Sequence, residues 1–266
     1  MTPRVEQLLR RWAVEPEQHL RTPTSELVLG SRHGLPVVLK VAPDEEERRG
    51  ARLLRWWGGR GAVRVLELDG DAVLLDRLTG PQDLVVMSRG ADAEATAALA
   101  GAVARLHANG VPRAEEGVGL LPLRTWFREL VDREHADPLL GRCAALAREL
   151  LDATRPQDVV ALHGDVHHGN VLDAGTAWLA IDPKGLVGHR AFDAANLLVN
   201  PDEHAVGLLP RRLPILADVL RLEERVLREW TLAWCGLSLS WPDAGEPSWH
   251  DRSCRAVAAA LLDDGA

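Results

Sequence analysis

One polar run narrows the folds open to this chain more than any other feature. It reads Leu162-His163-Gly164-Asp165-Val166-His167-His168-Gly169-Asn170 and is followed at 178–183 by Trp-Leu-Ala-Ile-Asp-Pro. Between the two lie short apolar stretches and the turn signal Asp173-Ala174-Gly175, which predicts a β-hairpin. Asn170 opens the first strand and Asp182 ends the second, so the turn folds Asp182 back toward Asn170. Asp165, Asn170 and Asp182 then present three oxygen-bearing side chains to one spot. Phosphoryl transfer needs such a set: a carboxylate and an amide oxygen hold Mg²⁺ against the ATP phosphates, and a second carboxylate orients and deprotonates the attacking hydroxyl.

The remainder of the chain gives this hairpin a setting. The first dozen residues read as a short amphipathic helix. Residues 25–30 and 36–42 read as strands joined at Arg32-His33-Gly34, and 62–68 and 71–77 as strands meeting at Asp69-Gly70. Between these pairs, residues 44–57 carry acids first and arginines later, with Leu53, Leu54, Trp56 and Trp57 on the apolar side, as a helix matched to its dipole does. Helical periodicity covers 92–108, 123–135, 138–153, 213–241 (as two helices) and 249–263. The expected fold class is α+β and bilobal, like a protein kinase: a small β-rich N-lobe over 1–77, a connector at 78–90 and a larger helical C-lobe over 91–266.

Lysine usage singles out one more residue. Of 31 basic residues only Lys40 and Lys184 are lysines, and the chain has no tyrosine, as in a coding bias that replaces Lys by Arg wherever either serves. A surviving lysine marks a place that needs a compact ammonium rather than a planar fork. Lys40, on a predicted strand before an acidic helix, fits that reading, whereas for Lys184 the sequence shows no fixed chemical demand. The net charge of -8 argues against nucleic acid as a partner and favours cations. No apolar run reaches the ~20 residues of a membrane span. Three scattered cysteines, Cys143, Cys235 and Cys254, fit a reducing cytoplasm rather than a disulfide framework. The expectation is a cytoplasmic monomer.

HGDVHHGN, then AIDPKGLVG and FDAAN, resembles the aminoglycoside phosphotransferases, most closely their streptomycin 6-phosphotransferase branch. LPVVLKVA and RLLRWWGGRGAVRV extend the resemblance, which covers about 20–265. It implies a protein-kinase-like fold, ATP as donor, Mg²⁺, and transfer to a hydroxyl of streptomycin or a related cationic aminoglycoside, which inactivates the antibiotic. Carried over by position, Asp165 is the catalytic base, Asn170 and Asp182 are magnesium ligands, and Lys40 contacts the α- and β-phosphates. Glu47 is the expected partner of Lys40, with Glu45 and Glu46 close enough to compete. Backbone groups near Asp76, Arg77 and Leu78 would face the adenine. No GxGxxG loop is present, only isolated Gly30 and Gly34, so Thr24 and Ser25 are candidates for part of the nucleotide cradle. The ten residues between Asp182 and Asp193 leave no room for an activation loop.

Other readings compete. His163 reads as a brace for the loop, and His167 and His168 as loop-shaping or substrate-facing residues. With Asp165 these histidines could instead form the N/O cluster of a metallohydrolase, which leaves Asn170, Asp182 and Lys40 unexplained. A nucleotide-binding scaffold would not need Asp165. Kinases of other small hydroxyl compounds, such as hydroxyurea, are the nearer alternative. Asp193 could cap a helix, and the resemblance gives it a structural role. For a guanidinium-bearing acceptor, Asp202, Glu203, Asp243, Glu246 and Asp251 are the carboxylates to search. Trp241 and Trp249 flank the polar stretch 242–246, a candidate overhang of the cleft or a surface loop.

Overall fold

The computed structural model describes residues 1–241 and 247–263. Its N-terminal part is a five-stranded antiparallel sheet of order β1-β2-β3-β5-β4, built from β1 (Glu15–Arg21), β2 (Glu26–Arg32), β3 (Leu35–Val41), β4 (Val65–Asp69) and β5 (Ala72–Asp76). Side chains alternate across it. Val28, Val37, Leu39 and Leu74 point to one face and pack under α1 (Pro3–Arg11) with Val5, Leu8 and Trp12. The opposite face carries Leu27, Leu29, Val38, Lys40 and Leu75 toward the cleft, where α2 (Glu45–Trp57) lies.

The edge strand β1 escapes sequence reading because its residues, EPEQHLR, are almost all exposed and show no apolar alternation. Gly30 serves that strand: a Cβ there would sit 2.3 Å from the Glu15 carbonyl oxygen. Gly34, at φ +76° after His33 at φ +53°, makes the tight β2–β3 turn. Both glycines are therefore spent on the sheet.

The rest is largely helical. A short α3 (Leu84–Met87) lies inside the connector, and α4 (Asp92–His107) follows. The stretch read as one helix over 123–135 is two turns, α5 (Leu123–Trp126) and α6 (Arg128–Val131), with β6 (Leu121–Pro122) before them. Between the turns, Phe127 is drawn into the core against Phe192 and Trp230. After α7 (Pro138–Ala153) come β7 (Val159–Leu162), the hairpin β8 (Val171–Asp173) with β9 (Trp178–Ala180), and β10 (Leu186–His189), which pairs with β7 and β6. Then follow α8 (Phe192–Val199), α9 (Ala205–Leu220), α10 (Glu224–Ser240) and α11 (Trp249–Asp263). α9 begins eight residues before the sequence reading places it and contains Pro210 and Pro214. Each proline removes only one amide bond, and buried Leu209, Arg212, Leu213 and Leu216 hold the helix in place.

One wide apolar core joins α2, α4, α7, α8 and α10 across both halves. Within it Arg212, fully buried, pairs with Asp92 at 2.6 Å and donates to the carbonyls of Leu197 and Asn200, fixing the end of α8. No helix among the described residues is long and apolar enough to cross a membrane.

Candidate active site

Three consecutive acids open α2, and successive helix residues point about 100° apart. They consequently serve three directions. Glu47 faces β3 and lies 2.5 Å from Lys40 Nζ, Glu46 lies 2.9 Å from Lys184 Nζ, and Glu45 turns outward to Arg48 and Arg52. Glu47 is thus the partner that the sequence left open. Lys40 also bonds Asp182.

Lys40, Glu47 and Asp182 line a cavity of about 340 Å³ whose remaining wall is mostly apolar, with Leu27, Val38, Ala51, Leu75, Leu172 and Ile181. That volume and character suit a small-molecule site with few polar fixtures. Asp76, Arg77 and Leu78 line the same cavity, as expected of the connector edge. The Asp76 carboxylate accepts from Arg64, and the Arg77 amide donates to the Pro36 carbonyl. Thr24 and Ser25 lie in the β1–β2 turn, and neither is among the described residues that line the cavity. The Ser25 amide and hydroxyl are engaged by the Thr22 hydroxyl inside the turn. The sequence reading starts the sheet one strand too late and so mistakes this turn for the head of the first strand.

The loop between β7 and β8 is held by its own backbone. Asp193, buried on α8, accepts from the amides of His163 and Gly164 at 3.0 and 2.8 Å and from His107 at 2.9 Å. These bonds keep its carboxyl below the ordinary value although burial alone would raise it. Asp193 lies inside α8 rather than at its cap, so it braces the loop, not the helix end. His163 Nδ1 accepts from the Asp165 amide, and Nε2 donates to the Ile181 carbonyl. Both ring nitrogens are used in the neutral form, and burial lowers its pKa accordingly. The brace reading of His163 matches this geometry.

Asp165 stands at the centre. Its Oδ1 accepts from Asn196 Nδ2 at 2.8 Å, and Asn170 Nδ2 lies 2.9 Å from its carbonyl and 3.3 Å from Oδ2. Lys184 Nζ is 4.0 Å from Oδ2. Burial pushes the Asp165 carboxyl up to about 6, with Lys184 opposing and Asp182 and Glu46 adding to the rise. Asn170 spends its amide nitrogen on Asp165, which leaves Oδ1 as a donor atom. Its carbonyl accepts from the Ile181 amide, so Asn170 and Asp182 are neighbours across the hairpin base. Asp182 sits at φ +60°, a left-handed conformation that Asp tolerates better than most residues. Burial would raise its carboxyl, but the adjacent Lys40 ammonium prevails and holds it low. An amide oxygen beside an ionised carboxylate is a hard-oxygen pair of the kind Mg²⁺ takes.

Two contributors went unrecognised in the sequence. Asn196 is three residues after Asp193 on α8, so both project from one helix face toward the loop. That i, i+3 spacing in FDAAN was the available signal. Lys184 is the second correction: it is no bystander but lies in the site, between Glu46 and Asp165. Its amide donates to the His163 carbonyl, and its own carbonyl accepts from Arg49 of α2. A Cβ on Gly50 of α2 would come within 2.0 Å of the Pro183 carbonyl oxygen, so helix and segment touch backbone to backbone.

The histidines do not assemble into a metal centre. His163 is fully engaged, His167 Nδ1 accepts from the Gly169 amide, and His168 is buried, with burial pushing it down to about 3. Among the described residues no group of three or more His, Cys, Asp or Glu could hold a metal ion. Of the candidate acceptor carboxylates, Asp202 accepts from the His204 amide, Asp251 from Ser248, and Glu203 pairs with Arg252 at 3.0 Å on the surface. Asp243 and Glu246 lie outside the described residues. Trp241 and Trp249 are exposed. Trp241 meets Trp126 edge-on, and Trp249 meets His250 edge-on.

The aminoglycoside/hydroxyurea antibiotic resistance kinase family matches residues 11–245. A streptomycin 3''-kinase of Klebsiella pneumoniae is 42% identical over 246 residues, 88% of this chain and 90% of that one. A streptomycin 6-kinase of Streptomyces griseus is 34% identical over 241 residues, 84% of this chain and 76% of that one. A solved amicoumacin kinase in complex with AMP-PNP and Ca²⁺ superposes with a TM-score of 0.71 at 12% identity, covering 99% of this chain and 94% of that one. The fold is therefore the protein-kinase-like fold expected from the sequence.

Proposed function

The chain belongs to the aminoglycoside/hydroxyurea antibiotic resistance kinase family, and on that basis we propose that it transfers the γ-phosphoryl group of ATP to a hydroxyl of streptomycin, inactivating the antibiotic. The observation that carries this reading is the meeting of Lys40, Asp182, Asn170 and Asp165 beside one nucleotide-sized cavity. Asp165 acts as base. Its carboxylate is oriented by Asn196 and Asn170 and takes the proton of the attacking hydroxyl. Lys40, set by Glu47, meets the α- and β-phosphates. Asn170 and Asp182 would hold Mg²⁺, whose charge offsets that of the β- and γ-phosphates. The apolar wall and the 76–78 edge receive the adenine.

The motifs of the sequence resemble the 6-phosphotransferases, but the likeness to the 3''-kinase is both closer and fuller than that to the 6-kinase. The 3''-hydroxyl is the acceptor we assign. Exposed Trp249 and Trp241 offer aromatic faces to a guanidinium-bearing drug, a pairing worth about 0.5–2 kcal/mol. Purified protein incubated with ATP, Mg²⁺ and streptomycin should add one phosphate, seen by mass spectrometry, and two-dimensional NMR should locate it. Phosphate on the 6-hydroxyl would restore the branch suggested by the motifs. Phosphorylation of hydroxyurea but not streptomycin would keep the kinase and remove the antibiotic.

A further inference from the structure

The only two lysines of the chain occupy parallel positions. Lys40 lies between Glu47 and Asp182, and Lys184 lies between Glu46 and Asp165. Each unit is an acid from α2, a lysine and an aspartate of the site. In a chain with 29 arginines, two such lysines at equivalent places point to a shared need for a compact ammonium. A guanidinium paired to Glu46 would spread its charge over a wide fork, while an ammonium presents one point to two carboxylates.

The backbone of Lys184 is pinned at both ends, by the His163 carbonyl and by Arg49, so the ammonium is delivered to its place rather than left to search for it. Gly185, at φ +71°, keeps the segment close, since a Cβ there would sit 2.6 Å from Arg49 Cγ. Four side chains meet the Asp165 carboxylate closely: Asn196 and His167 on Oδ1, and Asn170 and Lys184 on Oδ2. Burial keeps His167 neutral, so of those four Lys184 alone carries a full positive charge.

We propose that Lys184 is a positioning residue of the transfer reaction: its ammonium, shared between Glu46 and Asp165, holds the Asp165 carboxylate in register with α2 and hence with Lys40. This rests on the kinase reading above. In the step concerned, the acceptor oxygen bonds to the γ-phosphorus and its proton passes to Asp165. The bond from that phosphorus to the bridging oxygen breaks, and its electron pair leaves with ADP. Lys184 takes no part in bond making. It governs where the proton acceptor stands while the bonds exchange.

A double-mutant cycle tests this, because a residue that acts only through Asp165 loses its effect once Asp165 cannot act. Lys184→Met and Lys184→Gln are measured at steady state and by single turnover with excess enzyme, each in the wild type and with Asp165→Asn. Gln keeps an amide donor while removing the charge; it also stands in should the Met variant fail to fold. In the wild-type background both should lower kcat by about 10-fold or more, with KM for ATP and streptomycin within about threefold. In the Asp165→Asn background the same substitutions should cost less than about threefold. An undiminished loss in that background, a change carried by KM for ATP, or wild-type kcat in Lys184→Gln would overturn the assignment. Wild-type turnover is read first and judges the functional reading. The ratio between variants judges Lys184, on whichever acceptor the wild type phosphorylates.

Discussion

Two sets of charged side chains in this molecule are wired in opposite ways. Around Asp165 each charge finds its partner on a different element: Lys40 of β3 with Glu47 of α2 and with Asp182, Lys184 with Glu46 and Asp165, Asp193 of α8 with the amides of the loop. On the face that leads from α8 to α11, Asp202 and Asp251 spend themselves on nearby backbone, and Glu203 pairs with an arginine in the open. Removing one member of a buried pair strands the other charge, whereas an exposed pair can open at little cost. The first region is built to hold atoms still. The second can release a carboxylate to an incoming cation.

Substitutions can break or sharpen this contrast. Asp182→Ala should have the largest effect, abolishing Mg²⁺·ATP-dependent turnover, because it removes both the proposed metal ligand and one of the two partners of Lys40. Full activity of the variant, or of the wild type in excess chelator, would erase the distinction between the regions. Asp165→Ala comes next, with kcat reduced about 10²–10⁴-fold and affinity for a non-hydrolysable ATP analogue nearly unchanged, measured by calorimetry.

Stability should show the same contrast on a smaller scale. Burial lowers His167 to about 4 and His168 to about 3, below the ordinary value of 6.5. Between those values the unfolded chain binds protons that the folded chain refuses. Folding stability should therefore fall as pH drops below about 6, by about 1.4 kcal/mol per pH unit for each such histidine. Urea titrations in metal-free buffer should show His168→Gln with a slope flatter by about that amount. Identical slopes would mean that His168 is not held neutral. The smallest effect belongs to the open face: Glu203→Gln should change KM for streptomycin by less than about twofold and stability by less than about 1 kcal/mol. A tenfold rise in KM would make that carboxylate a dedicated drug contact.

The same difference explains what could be read from the sequence. Asp165, Asn170 and Asp182 were legible because a short loop and a tight hairpin fix their relations locally, so spacing alone carries the geometry. Lys40 was legible for another reason, as a scarce lysine on a predicted strand just before an acidic helix. Asn196 and Lys184 reach Asp165 only through the packing of α8 and α2, and their roles were missed although both motifs were in view. The edge strand β1 carried no apolar pattern to find, and the periodicity read from 213 onward missed the first turns of α9, which run up to and past Pro210. For Asp202, Glu203 and Asp251 the sequence supplied the acids but not their company, and it is the company that separates a cap from a contact.

The seam between Gly50 and Pro183 has a consequence for control. Protein machines of this architecture can be switched by swinging the helix that carries the glutamate partner of the lysine. Here that helix rests backbone to backbone on the segment that follows Asp182, with no space for so much as a methyl group between them. A swing of α2 would first have to part this seam, so the helix and the segment after Asp182 are set to move together or not at all.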